Sequence, residues 1–224
     1  MDIIEAIKTR KSIRDFKKDP VPQHVIREIL EIACRAPSAM NTQPWEFTVI
    51  AGDTLDAVKQ SIMEKLKAGE NPHSEHSVVG WPKESVYRRR QIDLAKQLFE
   101  LMDIKRDDAD KRRQWLERGF RFFNAPAVII ICVDRMLAEG TPIFDIGAVT
   151  QNICLAALHH GLGTCIEDQG VMYPEALRQH CHIPEHKQIV IAIALGRPNG
   201  DFPANRLETS REPVDSVTTW LGFD

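Results

Sequence analysis

Residues 143–158 read IFDIGAVTQNICLAAL. Helical spacing puts apolar side chains on every face of this stretch: Phe144, Ile146, Ala148, Val149, Ile153, Leu155, Ala156 and Leu158, against the single charge of Asp145. A helix with no polar face has to be covered all round. The segment is therefore expected at the centre of a domain or in a subunit interface, with the rest of the chain arranged about it.

The neighbours on either side supply that cover. Upstream, Val128 to Val133 (VIIICV) is a continuous apolar run, as in a strand covered on both faces. Downstream, Gly161-Leu162-Gly163 stops the helix, and Thr164–Ile166 reads as a short strand. A helix then starts at Pro174, and Gln188 to Leu195 (QIVIAIAL) reads as another core strand. Near the start, Asp2 and Glu5 make a capping pattern before the stripe Ile3, Ile4, Ile7. Pro22 opens a second helix with Val25, Ile26, Ile29, Leu30 and Ala33 inward. Trp45, Phe47 and Val49 alternate with polar residues as a strand, and Leu55 to Leu66 reads as helix. Residues 67–82 look like a mobile loop, followed by two charged amphipathic helices near 83–104 and 108–123. The tail from Gly196, with Pro198, Pro203 and Pro213, has little periodicity and is too long for an ordinary loop. It is expected to lie as an extended arm on this subunit or a neighbour. Four strands among about seven helices predict an α+β fold, taken as one domain over 1–224.

The 224 residues are 43% hydrophobic and 27% charged, an ordinary globular balance. Twenty-nine Lys and Arg against 32 Asp and Glu exclude a strongly basic nucleic-acid binder. No apolar run reaches the roughly 20 residues of a membrane span. The start MDIIEAIKTR lacks the pattern of a secretory leader, so a cytoplasmic chain is expected, with no membrane or nucleic-acid partner. Cys34, Cys132, Cys154, Cys165 and Cys181 are scattered, without a CxxC pair, and read mostly as small buried hydrophobes. There is no P-loop, no G-x-S-x-G elbow and no H-E-x-x-H. His180, His182 and His186 with Cys181 lack a second ligand set, and no metal site is predicted.

Two segments invite chemistry. Arg10, Ser12 and Arg14 fall at i, i+2 and i+4, which in extended backbone turns two guanidinium groups and a hydroxyl to one side. That is an anion site, or else a solvated basic cap at a helix C-terminus. Ser38, Asn41 and Gln43, between Pro37 and Pro44 and followed by Trp45, offer hydroxyl and amide groups to a planar polar ligand. Alternatively, they bond their own backbone in a turn.

Taken together, these residues carry a resemblance. Arg10-x-Ser12-x-Arg14-x-Phe16, followed by Pro37-Ser38-x-x-Asn41-x-Gln43-Pro44-Trp45, resembles the nitroreductase family of flavin enzymes. Asp145-Ile146-Gly147 through Gln151-Asn152 is similar to that family's central helix. Gly161 to Cys165 resembles the following turn and strand. Leu195-Gly196-Arg197-Pro198 and Ser210-Arg211-Glu212-Pro213 resemble its last strand and closing arm. The likeness runs in order along nearly the whole chain, with 67–120 only loosely matched.

The resemblance implies a mixed sheet flanked by helices, in an intertwined homodimer whose C-terminal arm, 197–224, wraps the partner. It implies one FMN at each of two subunit interfaces and NADH or NADPH as reductant. Arg10, Lys11 and Ser12 would hold the flavin phosphate and ribityl chain, Arg14 would stand near the N1/C2 carbonyl edge, and Arg211 would complete the phosphate site. Pro37, Ser38 and Asn41 would come from the other subunit, with Gln43 nearby, and Gln151 belongs to the implied cofactor set. Cys165, Ile166, Glu167 and Asp168 would lie beside the ring. No protein nucleophile is needed; the implied cycle is ping-pong hydride transfer through flavin N5 to a small planar acceptor, a nitroaromatic such as a nitrobenzoate, or a quinone. Residues 67–123 would form the variable wall of the cleft, with Trp81, Tyr87 and Phe123 as aromatic contacts and Arg88, Arg89 and Arg90 near a carboxylate; core aromatics and a solvated basic face are the competing reading. The alternatives kept open are a reductive dehalogenase, suggested by Glu84 and Tyr87, an ene-type reductase, and a slow flavin-binding redox sensor.

Overall fold

The structure, a computed structural model, describes residues 2–76, 80–137 and 141–223. Its elements in chain order are α1 (Ile3–Thr9), α2 (Gln23–Ala33), β1 (Glu46–Ala51), α3 (Gly52–Lys67), α4 (Val86–Leu101) and α5 (Ala109–Phe120). They continue with β2 (Ala127–Asp134), α6 (Thr141–His159), β3 (Gly163–Glu167), α7 (Pro174–Cys181) and β4 (Lys187–Gly196).

The strands pair in the order β1-β2-β4-β3, with β1 and β3 at the edges. Every strand pair is antiparallel. The expected mixed sheet is corrected accordingly: the one parallel element among the described residues is an isolated bridge from Ser12 to Thr164. Central β2 is buried along Ala127–Val133 and β4 along most of its length, which is what their unbroken apolar runs demand. Side-chain alternation then sends successive residues of β2 to opposite cores. Val128, Ile130 and Cys132 join α3, the 120–125 turn and α7 on one face. Ala127, Ile129, Ile131 and Val133 join α2 and α6 on the other. The molecule is thus a helix–sheet–helix sandwich.

Three local expectations change. In β1 the deeply buried side chain is Ile50, while Val49 is 40% exposed, because both faces of an edge strand meet helices only in part. Residues 70–76 are tied down rather than loose. Tyr173 donates its hydroxyl to the Glu70 carbonyl at 2.8 Å. Glu75 accepts from Arg178 Nη2 at 2.6 Å and from the Ile189 amide at 2.8 Å. Residues 77–79 of the expected loop lie outside the described residues. Finally, α6 is not covered all round within one chain: Ile146, Val149 and Ile153 are buried, but Phe144 is 81% exposed.

Part of the tail stays on its own subunit. Ala204 and Leu207 pack with Leu98 of α4, and Asn205 is buried. Beyond residue 207 the chain turns outward, and Val214, Val217, Trp220, Leu221 and Phe223 are all exposed.

Candidate functional site

The basic turn is built against edge strand β3. The Ile13 amide donates to the Thr164 carbonyl at 2.9 Å, and Ser12 bridges Thr164 in parallel. Gly163 permits this approach: a Cβ there would stand 2.5 Å from Ile13 Cγ1 and 2.9 Å from Pro198 Cγ. Arg10, Lys11, Ser12 and Arg14 are all half-buried along this edge. None of the three cations forms an ion pair among the described residues; Arg14 Nη1 reaches only the Ser12 carbonyl, at 3.3 Å. Burial lowers the Arg14 pKa from its ordinary value, opposed by the nearby Cys165. Arginine keeps its proton even so. The result is a desolvated cation cluster without a counter-ion, which favours an anionic ligand.

The strand beside it offers a platform. Because Thr164 bonds outward to Ile13, antiparallel alternation points the N–H and C=O of Ile166 to the same open edge. The Ile166 side chain is 42% exposed, while its neighbours Cys165 and Glu167 turn into the core. Burial pushes the Cys165 thiol up to about 12, so it is not a nucleophile. Cys132 is likewise raised to about 12 and Cys181 to about 11 by burial. Cys34 departs from the expected buried set and is exposed.

Glu167 is 6% exposed, and among the described residues neither carboxylate oxygen has a hydrogen-bond partner. Burial, with a smaller contribution from Asp168, pushes its pKa well above the ordinary value. Asp168 is raised too, by burial, with His76 opposing.

The polar segment 37–44 forms a second cluster. Met40, Asn41 and Gln43 have φ of 50°, 59° and 48°, left-handed backbone that costs energy for residues other than Gly and is seen most often at functional loops. Several hydrogen bonds hold it. The Gln43 amide donates to Ser38 Oγ at 2.9 Å, Gln43 Nε2 to the Asn41 carbonyl at 3.2 Å, and the Ala39 amide to buried Asp145 of α6 at 3.2 Å. Pro37, Asn41 and Gln43 are exposed, Ser38 partly so, and Met40 is 96% exposed. Among the described residues no hydrogen bond or ion pair joins this loop to Arg10–Arg14 of the same chain. Gln151 is exposed on α6, on the helix face that carries Phe144 and Gly147.

The remaining expected residues are dispersed. Arg211 lies in the exposed tail, its Nη1 on Thr209 Oγ1 at 2.7 Å, and among the described residues no hydrogen bond or ion pair joins it to the basic turn. Trp81 and Tyr87 are exposed, at 44% and 60%. Phe123, expected on the cleft wall, is instead 7% exposed and packed in the core with Phe120 and Phe122. Arg90 pairs with Glu212 at 2.9 Å, and Arg88 bonds Gln91, so neither stands free for a carboxylate. Sequence reasoning missed His76 beside Asp168 and the side chains of Asp15, Arg118 and Asn205 behind Arg14. These partners are about 100 to 190 residues apart in the chain, and no local pattern announces them.

The Nitroreductase family model matches residues 7–197. The chain is 32% identical over 220 residues to a nitrobenzene nitroreductase of Ectopseudomonas oleovorans, covering 98% of this chain and 96% of that one. It is 31% identical over 223 residues to a 4-nitrobenzoate reductase of Nocardioides sp., covering 97% and 89%. Its fold superposes on the FMN and NADPH-dependent nitroreductase NfnB from sphigopyxis sp. strain HMH with a TM-score of 0.94, at 27% identity and full coverage of both chains.

Proposed function

The chain belongs to the nitroreductase family, and from that premise we propose that it is an NAD(P)H-oxidising flavoenzyme that reduces small planar nitroaromatics, with nitrobenzoates and quinones as candidate acceptors. The observation that carries this reading is the row Arg10, Lys11, Ser12 and Arg14 along the open edge of β3, cationic, half-buried and unpaired among the described residues. FMN, when bound, supplies the two-electron chemistry that protein side chains cannot. A phosphate suits the Arg10–Ser12 end, where guanidinium, ammonium and hydroxyl donors converge. The Arg14 end suits the part of a flavin that gains negative charge on reduction, and an orphan cation there favours the reduced form. Ile166 offers an apolar surface to one ring face, and its backbone edge offers a donor.

The site as built by one chain is half a site, and a second copy completes it. Three features support a homodimer. Ile3, Ile4 and Ile7 of α1, Ile32 of α2 and Phe144 of α6 are exposed together with Met40, an apolar load unusual for a monomer. The strained 37–44 loop presents Ser38, Asn41 and Gln43 outward. The tail past 207 carries five exposed apolar residues and fits an arm laid across a partner. In that arrangement the loop, Gln151 and Arg211 meet the basic turn across the interface. Residues 80–87, with Trp81 and Tyr87, then wall the acceptor cleft.

Steady-state oxidation of NADH and NADPH against 4-nitrobenzoate, nitrobenzene and a quinone tests the reading. Parallel double-reciprocal lines are expected, because both substrates use one place in turn. Intersecting lines refute the ping-pong order, and turnover no faster than autoxidation refutes the enzyme in favour of a sensor.

A further inference from the structure

The segment that bears Arg14 is coil between α1 and α2, pinned on either side by the Ser12–Thr164 and Phe16–Pro198 bridges. At Arg14 itself, two side chains from remote parts of the chain do the holding. The Arg14 amide donates to Asn205 Oδ1 at 2.6 Å, and Arg118 Nη2 donates to the Arg14 carbonyl at 3.0 Å. Both backbone groups of this one residue are therefore held by side chains. Each holder is itself held. Asn205, 6% exposed, donates from Nδ2 to the carbonyls of Asp15 at 2.8 Å and Asn199 at 2.9 Å. Arg118, at the end of α5, pairs with Asp15 Oδ1 at 2.5 Å, and its guanidinium lies 4.3 Å from the centre of the Phe202 ring. Asp15 Oδ2 accepts from Asn199 Nδ2 at 2.7 Å. The side chains of Arg118 and Asp15 are only 23% and 14% exposed. In so dry a setting charge-assisted bonds are strong and directional.

We propose that Arg118 and Asn205 are positioning residues that fix the Arg14 guanidinium against β3 and through it set the redox potential of the bound flavin. Gripping the amide and the carbonyl of Arg14 fixes its backbone from the side opposite β3. The guanidinium in turn donates from Nη1 to the carbonyl of Ser12, the residue bridged to Thr164 of β3, at 3.3 Å. Arg118 is neutralised by Asp15, so its own field at the flavin is weak; its action runs through geometry. The clasp also joins α5, at the end of the 67–123 segment, to the 199–207 stretch of the tail. Movement of either reaches Arg14 directly. This inference rests on the reading of Arg14 as the flavin-tuning cation.

The test is the ratio of affinities for reduced over oxidised FMN, obtained from the potentials of free and bound flavin, in Arg118→Met, Arg14→Ala and the double variant. Melting temperatures are recorded for each. Arg118→Met is expected to lower the ratio about tenfold, which for a two-electron couple is about 30 mV. Arg118→Lys, which keeps a cation for Asp15, recovers part of the loss. In the Arg14→Ala background the Arg118→Met change is expected to add nothing, since the coupled pair acts as one unit. An unchanged ratio in Arg14→Ala overturns the Arg14 reading and this inference together. A lowered ratio in Arg14→Ala with an unaltered one in Arg118→Met overturns the clasp alone, as does full additivity in the double variant. Asn199→Ala, which loosens Asp15 without touching Arg14 or Arg118, is a gentler variant expected to shift the ratio the same way by less. No shift with it and none with Arg118→Met also sinks the proposal.

Discussion

Arg14 and Glu167, both neighbours of Cys165, carry opposite burdens. Among the described residues, Arg14 is a half-buried cation without a carboxylate, while Glu167 is a buried carboxyl without a donor. The first is stabilised when an electron-rich ligand arrives. A unit charge at ~4 Å with an effective dielectric of ~20 interacts by about 4 kcal/mol, equivalent to roughly 90 mV for two electrons. Arg14→Ala is accordingly expected to lower the bound-flavin potential by tens of millivolts, measured by titration against a redox dye. The second makes stability pH-dependent. The folded pKa of Glu167 lies above its unfolded value, so the unfolded chain releases this proton first as pH rises. Its stability contribution is whole below the ordinary carboxylate pKa of 4.5 and declines from there up to the raised folded value. Glu167→Gln is therefore expected to raise the melting temperature more at pH 8 than at pH 5. An equal shift at both pH values would mean that the carboxyl finds a partner in solution.

At the scale of elements, α6 is where the two clusters are tied to one scaffold. Its buried Asp145 holds the Ala39 amide, and its Cys154 is packed beside Thr164 and Arg10. Asp145→Ala removes a bond from a charged acceptor, with an expected cost of about 1.5–3 kcal/mol. Weaker FMN binding should accompany it as the 37–44 loop relaxes from its left-handed backbone; calorimetry and flavin fluorescence report the two effects separately. The elements themselves were legible because the signals were strong: continuous apolar runs for β2 and β4, and a cap for α1 that the Asp2–Glu5 bond at 3.0 Å bears out. The basic turn and the 37–44 loop were legible as residue types at characteristic spacings. What could not be read was how they are held. Glu75 fastens the 70–76 segment through Arg178 and Ile189, over 100 residues away, and Phe123 is drawn into the core by packing that periodicity does not encode. Such contacts come from tertiary structure, and a window of neighbouring residues contains no trace of them.

For the whole molecule, the exposed faces of α1, α2 and α6 and the outward tail are hard to reconcile with a chain alone in water. Each is explained if a second copy covers it. Removing residues 208–224 is expected to leave the core folded, since Ala204, Asn205 and Leu207 keep their packing, but to weaken the dimer and the hold on FMN together. Phe144→Lys places a charge in the same proposed interface and should do likewise without shortening the chain; circular dichroism separates lost assembly from lost fold. The most direct test of the account is sedimentation of the purified protein with added FMN, followed at 450 nm and 280 nm at once. A single boundary at the mass of two chains, carrying two flavins per pair and bleaching when NADPH or NADH is added without oxygen, is the predicted result. A colourless boundary at the mass of one chain, with the flavin left behind, would contradict it.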